Sequence, residues 1–148
     1  MVRDRKEDLL MIEYFQLNNL TKNVYVVGTL TQEVMDLLNL NRTETSLLLG
    51  KDKILYTEKH KHQFVSEESY KKHIEAIPEI IINFDYVAFH PSKNSIEYIK
   101  KMDEIMVVAA RFRQEKELWI KTAFPISEGK LNIYNKLGTL KSKLKTFD

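Results

Sequence analysis

Cysteine is absent from the 148-residue sequence, and its absence excludes several classes of site. Disulfide frameworks, zinc ribbons, iron–sulfur clusters and thiol nucleophiles all depend on cysteine sulfur. The absence of cysteine also fits a reducing compartment.

Glycine and proline are scarce too, with four and three residues in the chain. They are scattered, and we find no internal repeat, low-complexity tract or Pro/Gly-rich linker. Because 148 residues lie within the usual size of one domain, we predict a single domain over residues 1–148.

Long apolar runs are missing as well. The longest, residues 80–82 and 105–110, fall far short of the roughly 20 residues that a transmembrane helix needs. The first residues carry charges throughout and do not resemble a secretory signal. We therefore expect a cytoplasmic protein with no membrane partner.

The common signatures of nucleotide binding and hydrolysis are absent. The sequence contains no GxGxxG or Walker loop, no GxSxG elbow and no HExxH pair. The formal net charge is only +2, so charge matters here through local clusters. Residues 59–62, Lys-His-Lys-His, form one such cluster, and a lysine-rich tail forms another.

Apolar periodicity and capping residues predict the order of the elements. We predict helices over residues 3–17, from the N-cap Thr31 to Leu38, over 51–58, from the N-cap Ser66 towards Pro78, and over 131–144. We predict strands over 23–30, 46–49, 85–89, 95–100, 105–112 and 118–124. The predicted fold is α+β, with N-terminal helices packed on a four-stranded antiparallel meander and a C-terminal helix.

The Lys-His-Lys-His cluster is the first candidate for chemistry. Imidazole transfers protons near neutral pH, and flanking ammonium groups attract phosphate. The cluster contains two candidates for proton transfer, His60 and His62, and Lys59 beside them is a candidate for contact with phosphate. The alternative is a solvated helix end, where cations meet the negative pole of the helix dipole. A metal site is the weaker interpretation, because His60 and His62 do not align on a helix and no carboxylate motif accompanies them.

The second candidate lies on the predicted sheet. A hairpin loop with an even number of residues would pair odd with even positions, so Arg111 and Thr122 would project from one side. A guanidinium beside a hydroxyl can grip a phosphate. Alternatively, Arg111 merely ends a strand and Thr122 is a β-former. Lys121 and Trp119 would face the other way.

Several other residues receive weaker assignments. Lys121 and Tyr134 are candidates for substrate binding, and Trp119 either stacks a nucleobase or packs in the sheet. His73 is interpreted as structural and His90 as an exposed turn residue. No glutamate stands out as a partner base.

The order of these features resembles the phage-associated branch of the barnase–EndoU–colicin–RelE (BECR) nuclease-like superfamily. The stretches that carry the resemblance are LLLGKDKILYTEKHKHQF, IPEIIINFDYVAF, SIEYIK, IMVVAARFR, LWIKTAFPIS and NIYNKLG. They form a nuclease-like core over residues 46–138, with residues 1–45 as an N-terminal extension.

The resemblance implies a metal-independent ribonuclease without a cofactor, which cleaves RNA by attack of the ribose 2′-hydroxyl. His60 would then be the general acid or base, Arg111 would stabilise the phosphorane and Thr122 would bind a phosphate oxygen. Lys59 and His62 would contact the substrate, although the second pair, Lys61-His62, leaves open which histidine acts. RNA, with tRNA as a candidate, is the expected substrate, and an immunity or antitoxin protein is a candidate partner of such a toxin or phage effector.

A module of phage origin that binds nucleic acid or protein without chemistry is the alternative. The low net charge and the few acid–base groups favour that alternative.

Overall fold

A computed structural model describes residues 11–114 and 116–142. Its helices are α1 (Gln32–Leu38), α2 (Lys51–Tyr56), α3 (Glu67–Glu75), α4 (Ile77–Ile82) and α5 (Glu128–Lys136). Its strands are β1 (Val24–Leu30), β2 (Thr45–Gly50), β3 (Tyr86–His90), β4 (Ser95–Lys101), β5 (Ile105–Arg113), β6 (Glu117–Ile126) and β7 (Lys141–Ser142). Two 3-10 helices cover Thr57–Gln63 and Pro91–Lys93.

All seven strands join one sheet in the order β1-β2-β6-β5-β4-β3-β7. The prediction of a four-stranded sheet therefore gave too few strands. The four late strands, β3 to β6, lie side by side and antiparallel, but β2 adds to β6 as a parallel neighbour and β7 adds to β3. Parallel pairing joins segments far apart in sequence and therefore leaves no local signal in the sequence. Strand β1, which lies within the predicted N-terminal extension, pairs with β2 in the same sheet.

The two faces of the sheet carry separate hydrophobic clusters. The larger cluster joins α1 to α4 to one face, where Tyr98, Val108 and Ala110 are fully buried. The smaller cluster joins Leu131 of α5 to Val107 on the other face. Because residues 105–110 are buried on both sides, their sequence is continuously apolar and does not alternate.

Side-chain caps begin the helices where the sequence predicts them. The Thr31 hydroxyl accepts a hydrogen bond from the Val34 amide, and the Ser66 hydroxyl accepts one from the Ser69 amide. Helix α3 ends at Glu75, and Pro78 lies in the first turn of α4, where its missing N–H leaves no helical acceptor unpaired.

The first predicted helix is wrong over residues 11–16, which have no regular structure, and its earlier part lies outside the described residues. The amide of Glu13 donates to the Val26 carbonyl at 2.7 Å, and the Glu13 carboxylate accepts from the Val26 amide at 2.7 Å. Tertiary pairing with the edge of β1 thus overrides the helix-like apolar pattern.

The last helix begins earlier and ends sooner than predicted. The Ser127 hydroxyl accepts a hydrogen bond from the Lys130 amide at 3.1 Å, so α5 starts at Glu128 and not at Leu131. It ends at Lys136, just before Gly138 at φ 71°, and β7 follows. The final residues of the predicted helix, 143 and 144, lie outside the described residues.

No helix in the described part of the chain is long and apolar enough to span a membrane.

Candidate active site

A cleft of about 590 Å³ opens between the 3-10 helix Thr57–Gln63, strand β6 and the start of α5. Its walls are formed by Lys53, Tyr56, Lys59, His60, Gln63, Lys121, Thr122, Phe124, Pro125, Ile126, Ser127 and Lys130. Two of the three residues predicted to be catalytic, His60 and Thr122, therefore line the same cleft.

The charges of this cleft have one sign. Four lysines line it, and its described lining contains no carboxylate. The chain as a whole has 23 lysines and arginines against 21 aspartates and glutamates, so the cleft is far more cationic than the average surface. Such a concentration of ammonium groups attracts phosphate-bearing ligands.

Helix α2 and the following 3-10 helix deliver His60 to the cleft. Their tight turns place the His60 ring against Phe124 of β6, with the ring centroids 5.7 Å apart. Lys59 lies over the Tyr56 ring, 4.0 Å from its centroid, and donates a hydrogen bond to the Tyr56 hydroxyl. The Lys-His-Lys-His sequence is thus folded against the sheet on one side and is not uniformly solvated.

Two polar atoms of the cleft residues are buried without a partner. Within the described part of the chain, neither Nδ1 of His60 nor Oγ1 of Thr122 makes a hydrogen bond. An unsatisfied buried polar group costs about 1–3 kcal/mol, so native proteins keep few of them. Both atoms belong to residues that the sequence had identified as candidates for phosphate chemistry.

The environment of His60 favours the neutral imidazole. Burial lowers the pKa of His60 below its ordinary value, and the positive charges of Lys59 and His62 lower it further. A neutral ring at pH 7 can accept a proton, which is what a general base requires.

A β-bulge sets which side chains of β6 face the cleft. Arg113 pairs with Glu117, so the hairpin loop has three residues and not the even number assumed in the prediction. Arg111 consequently lies opposite Trp119, and both project from the same face. The prediction that Trp119 faces away is therefore wrong.

The register then shifts, because Lys121 is an extra residue in β6. Beyond this point Thr122 lies opposite Ala109, which shares a face with Arg111. Arg111 and Thr122 thus share a face, as predicted, although the assumed loop length was wrong. Lys121 lines the same cleft as Thr122, so the prediction that it faces away is also wrong.

Arg111 is exposed and stands beside the cleft without lining it. Burial lowers the pKa of Lys121, and the nearby charge of Arg111 lowers it further. Arg111 is therefore placed to add positive charge at the mouth of the cleft.

Of the four residues predicted to bind substrate, two line the cleft and two do not. Lys59 and Lys121 line the cleft, whereas His62 is exposed and does not line it. Tyr134 of α5 packs in the smaller hydrophobic cluster, and burial together with the charge of Glu97 raises the pKa of its hydroxyl.

The sequence matches a protein-family model that covers most of the chain. A family model described as "phage-Barnase-EndoU-ColicinE5/D-RelE like nuclease3" (PBECR3) matches residues 25–132. The chain belongs to the PBECR3 family. No curated protein and no solved structure matches the chain.

The PBECR3 match contains every residue that lines the cleft. It starts in β1 and ends in α5, so His60, Arg111, Thr122 and the bulge at Lys121 all lie within it. The sequence resemblance to BECR nucleases is thereby confirmed at the level of the family.

A histidine–glutamate pair that the sequence did not single out lies on the cleft side of this PBECR3 sheet. Nε2 of His90 is 3.0 Å from Oε1 of Glu97, and both side chains are partly buried. The interpretation of His90 as an exposed turn residue is therefore wrong, since it is the last residue of β3. Glu97 is the cross-strand neighbour of Ala109, whose other neighbour is Thr122. The two residues are seven apart in sequence and meet only through the β3–β4 hairpin, which is why spacing did not reveal them.

His73 is a structural residue, as interpreted from the sequence. It is fully buried, its Nδ1 is 2.7 Å from the Ser69 carbonyl oxygen, and its Nε2 accepts a hydrogen bond from the Glu104 amide. Among the described residues, no group of three or more histidines and carboxylates is close enough together to hold a metal ion.

Proposed function

We propose that this PBECR3 domain is an endoribonuclease that cleaves RNA by attack of a ribose 2′-hydroxyl on the adjacent phosphate. The observation that carries the proposal is the cleft itself. It brings together an imidazole with a lowered pKa and a buried, unpartnered hydroxyl between four lysines.

His60 takes the proton from the 2′-hydroxyl in this proposal. The 2′-oxygen then bonds to phosphorus, the bond from phosphorus to the 5′-oxygen breaks, and a 2′,3′-cyclic phosphate remains. Lysine ammonium groups stabilise the charge that develops on the phosphorane, and the Thr122 hydroxyl donates to a phosphate oxygen. The walls of the cleft thus supply cations and a proton acceptor, the groups that this reaction needs.

A second proton-transfer group must protonate the leaving 5′-oxygen. The His90–Glu97 pair is our candidate, because it shares the sheet face with Thr122 and only Ala109 stands between Glu97 and Thr122 across the strands. We expect His90→Ala to slow cleavage about 10²–10⁴-fold, the range typical of a lost general acid or base.

The first test is incubation of the purified protein with total tRNA in EDTA, followed by analysis of the RNA ends. We expect 2′,3′-cyclic phosphates from the wild type, and loss of cleavage in His60→Ala and Arg111→Ala. Lys71→Ala is the matched control, since Lys71 pairs with Glu75 on α3, which packs on the opposite face of the sheet. Undiminished cleavage by His60→Ala would contradict its role, and intact RNA with every variant would favour a binding module without chemistry.

Thr122→Val separates a functional hydroxyl from a structural one. Valine keeps the branched shape but removes a buried oxygen that has no partner. We expect the free energy of unfolding to rise by up to about 1–3 kcal/mol while cleavage falls. A structural hydroxyl would give the opposite result, with lower stability and unchanged cleavage.

The toxin or phage-effector role, tRNA as the target, an immunity or antitoxin partner and a cytoplasmic location stay predictions. Sequencing of the cleavage ends from total cellular RNA would test the target.

A further inference from the structure

Trp119 occupies an unusual place on the cleft side of the sheet. It pairs across the sheet with Arg111 on one side and with Leu48 on the other. Ile120 and Lys121 lie between Trp119 and Thr122 in the sequence, and Lys121 is the bulged residue. Trp119 and Thr122 therefore occupy neighbouring cross-strand rows on one face of the sheet. The indole therefore lies beside the cleft.

Polar contacts orient the Trp119 ring. Its Nε1 donates a hydrogen bond to Oε1 of Glu117 at 3.1 Å, and Cζ of Arg113 lies 4.6 Å from the centroid of the ring. The ring is only partly buried and packs into neither of the two hydrophobic clusters formed by the described residues. By contrast, Phe124 on the same face packs in the smaller cluster under α5.

A partly exposed indole that adds nothing to a core needs another explanation. Unpaired nucleobases stack on indole rings and on guanidinium planes, and every base offers such a surface. Arg111 and Arg113 place two positive charges beside the ring, against one negative charge from Glu117, so a base that stacks here has cations near its phosphates.

We propose that Trp119 and Arg113 form a stacking subsite for an unpaired nucleobase of single-stranded RNA, next to the phosphate held in the cleft. This inference rests on the proposed ribonuclease function and adds to it a substrate class. A base enters the subsite only after it has left a duplex, so the subsite selects single-stranded segments and loops over paired RNA.

The chain reports on this subsite directly, because Trp119 is its only tryptophan. Fluorescence of the wild-type protein is followed during titration with a single-stranded DNA oligonucleotide, which lacks the 2′-hydroxyl and stays intact. We expect quenching of the emission by the single strand. The same strand with abasic sites keeps its phosphates and loses its bases, and it should bind more weakly with little quenching, as should the duplex.

Variants give an independent measurement by anisotropy of a labelled oligonucleotide. Trp119→Leu is expected to weaken binding of the single strand about 5–150-fold, the range for one stacked base, while Trp119→Phe keeps most of the affinity. Lys116→Ala is the control for Arg113→Ala, since both are exposed cations of the same β-hairpin. Arg113→Ala should reduce the affinity for the normal strand more than for the abasic strand.

The outcomes separate the subsite from the nuclease. Quenching by the single strand without any RNA cleavage would support the subsite and overturn the proposed chemistry. Equal quenching by normal and abasic strands, or unchanged affinity in both Trp119→Leu and Trp119→Phe, would overturn the subsite even if the protein cleaves RNA.

Discussion

The charge of the cleft predicts how binding depends on salt. Each phosphate that meets a cation on a single strand contributes about 0.7 to the slope of log K against log salt. Phosphates at all four lysines of the cleft would give a slope of about −2.8 and an affinity loss of roughly 50-fold between 50 and 200 mM salt. If Arg111 and Arg113 each meet a phosphate as well, the slope becomes about −4.2.

Removal of one cation should change this slope by a fixed amount. For Lys121→Gln we expect a slope that is less steep by about 0.7, measured with single-stranded DNA of constant length over a salt series. The matched control is Lys71→Gln, because Lys71 pairs with Glu75 at 3.5 Å on α3, which packs on the opposite face of the sheet. Equal slopes for the two variants would refute the idea that the cleft holds the phosphates.

The remaining predictions concern a proton and a close contact. Lys59→Gln removes a positive charge that lowers the pKa of His60. We therefore expect the pKa of His60, measured by NMR, and the acid limb of the kcat/KM profile to move to higher pH. An unchanged pKa would contradict the electrostatic effect of Lys59 on His60. Gly28→Ala would place a Cβ 2.5 Å from Cγ2 of Ile81, and we expect thermal or denaturant unfolding to show a loss of about 1–3 kcal/mol. Gly129→Ala, whose Cβ meets only ordinary contact, should lose no stability, and equal losses in both variants would contradict the clash.

Local signals in the sequence predicted the elements whose structure is fixed locally. Thr31 and Ser66 cap helices because their hydroxyls reach amides within the first turn, and such caps can be read from a few residues. The strands of the late meander were found from β-rich runs separated by short turns. The prediction of a helix over residues 11–16 was wrong because the structure of this segment depends on hydrogen bonds to β1, which no local pattern encodes.

The candidate site was predictable in part for the same reason. His60 could be found because its charged neighbours adjoin it in sequence. Arg111 and Thr122 lie on the same face of the sheet because of a three-residue loop and a bulge, and neither feature can be predicted from the sequence. The His90–Glu97 pair and the surface position of Trp119 depend on strand pairing, so only the three-dimensional structure revealed them.

Because Lys121 is the bulged residue, its deletion would not reverse the facing of the other side chains of β6. Loss of one residue elsewhere within β6 would turn the core side chains of one half of the strand towards solvent, because facing alternates along a strand. Loss of Lys121 alone would restore regular alternation, with Ile120 still in the core and Thr122 still at the cleft. A single codon gained or lost at this point therefore changes the cleft by one positive charge and leaves the sheet intact. The charge of the cleft can thus change by one unit at this position while the core pattern of β6 is kept.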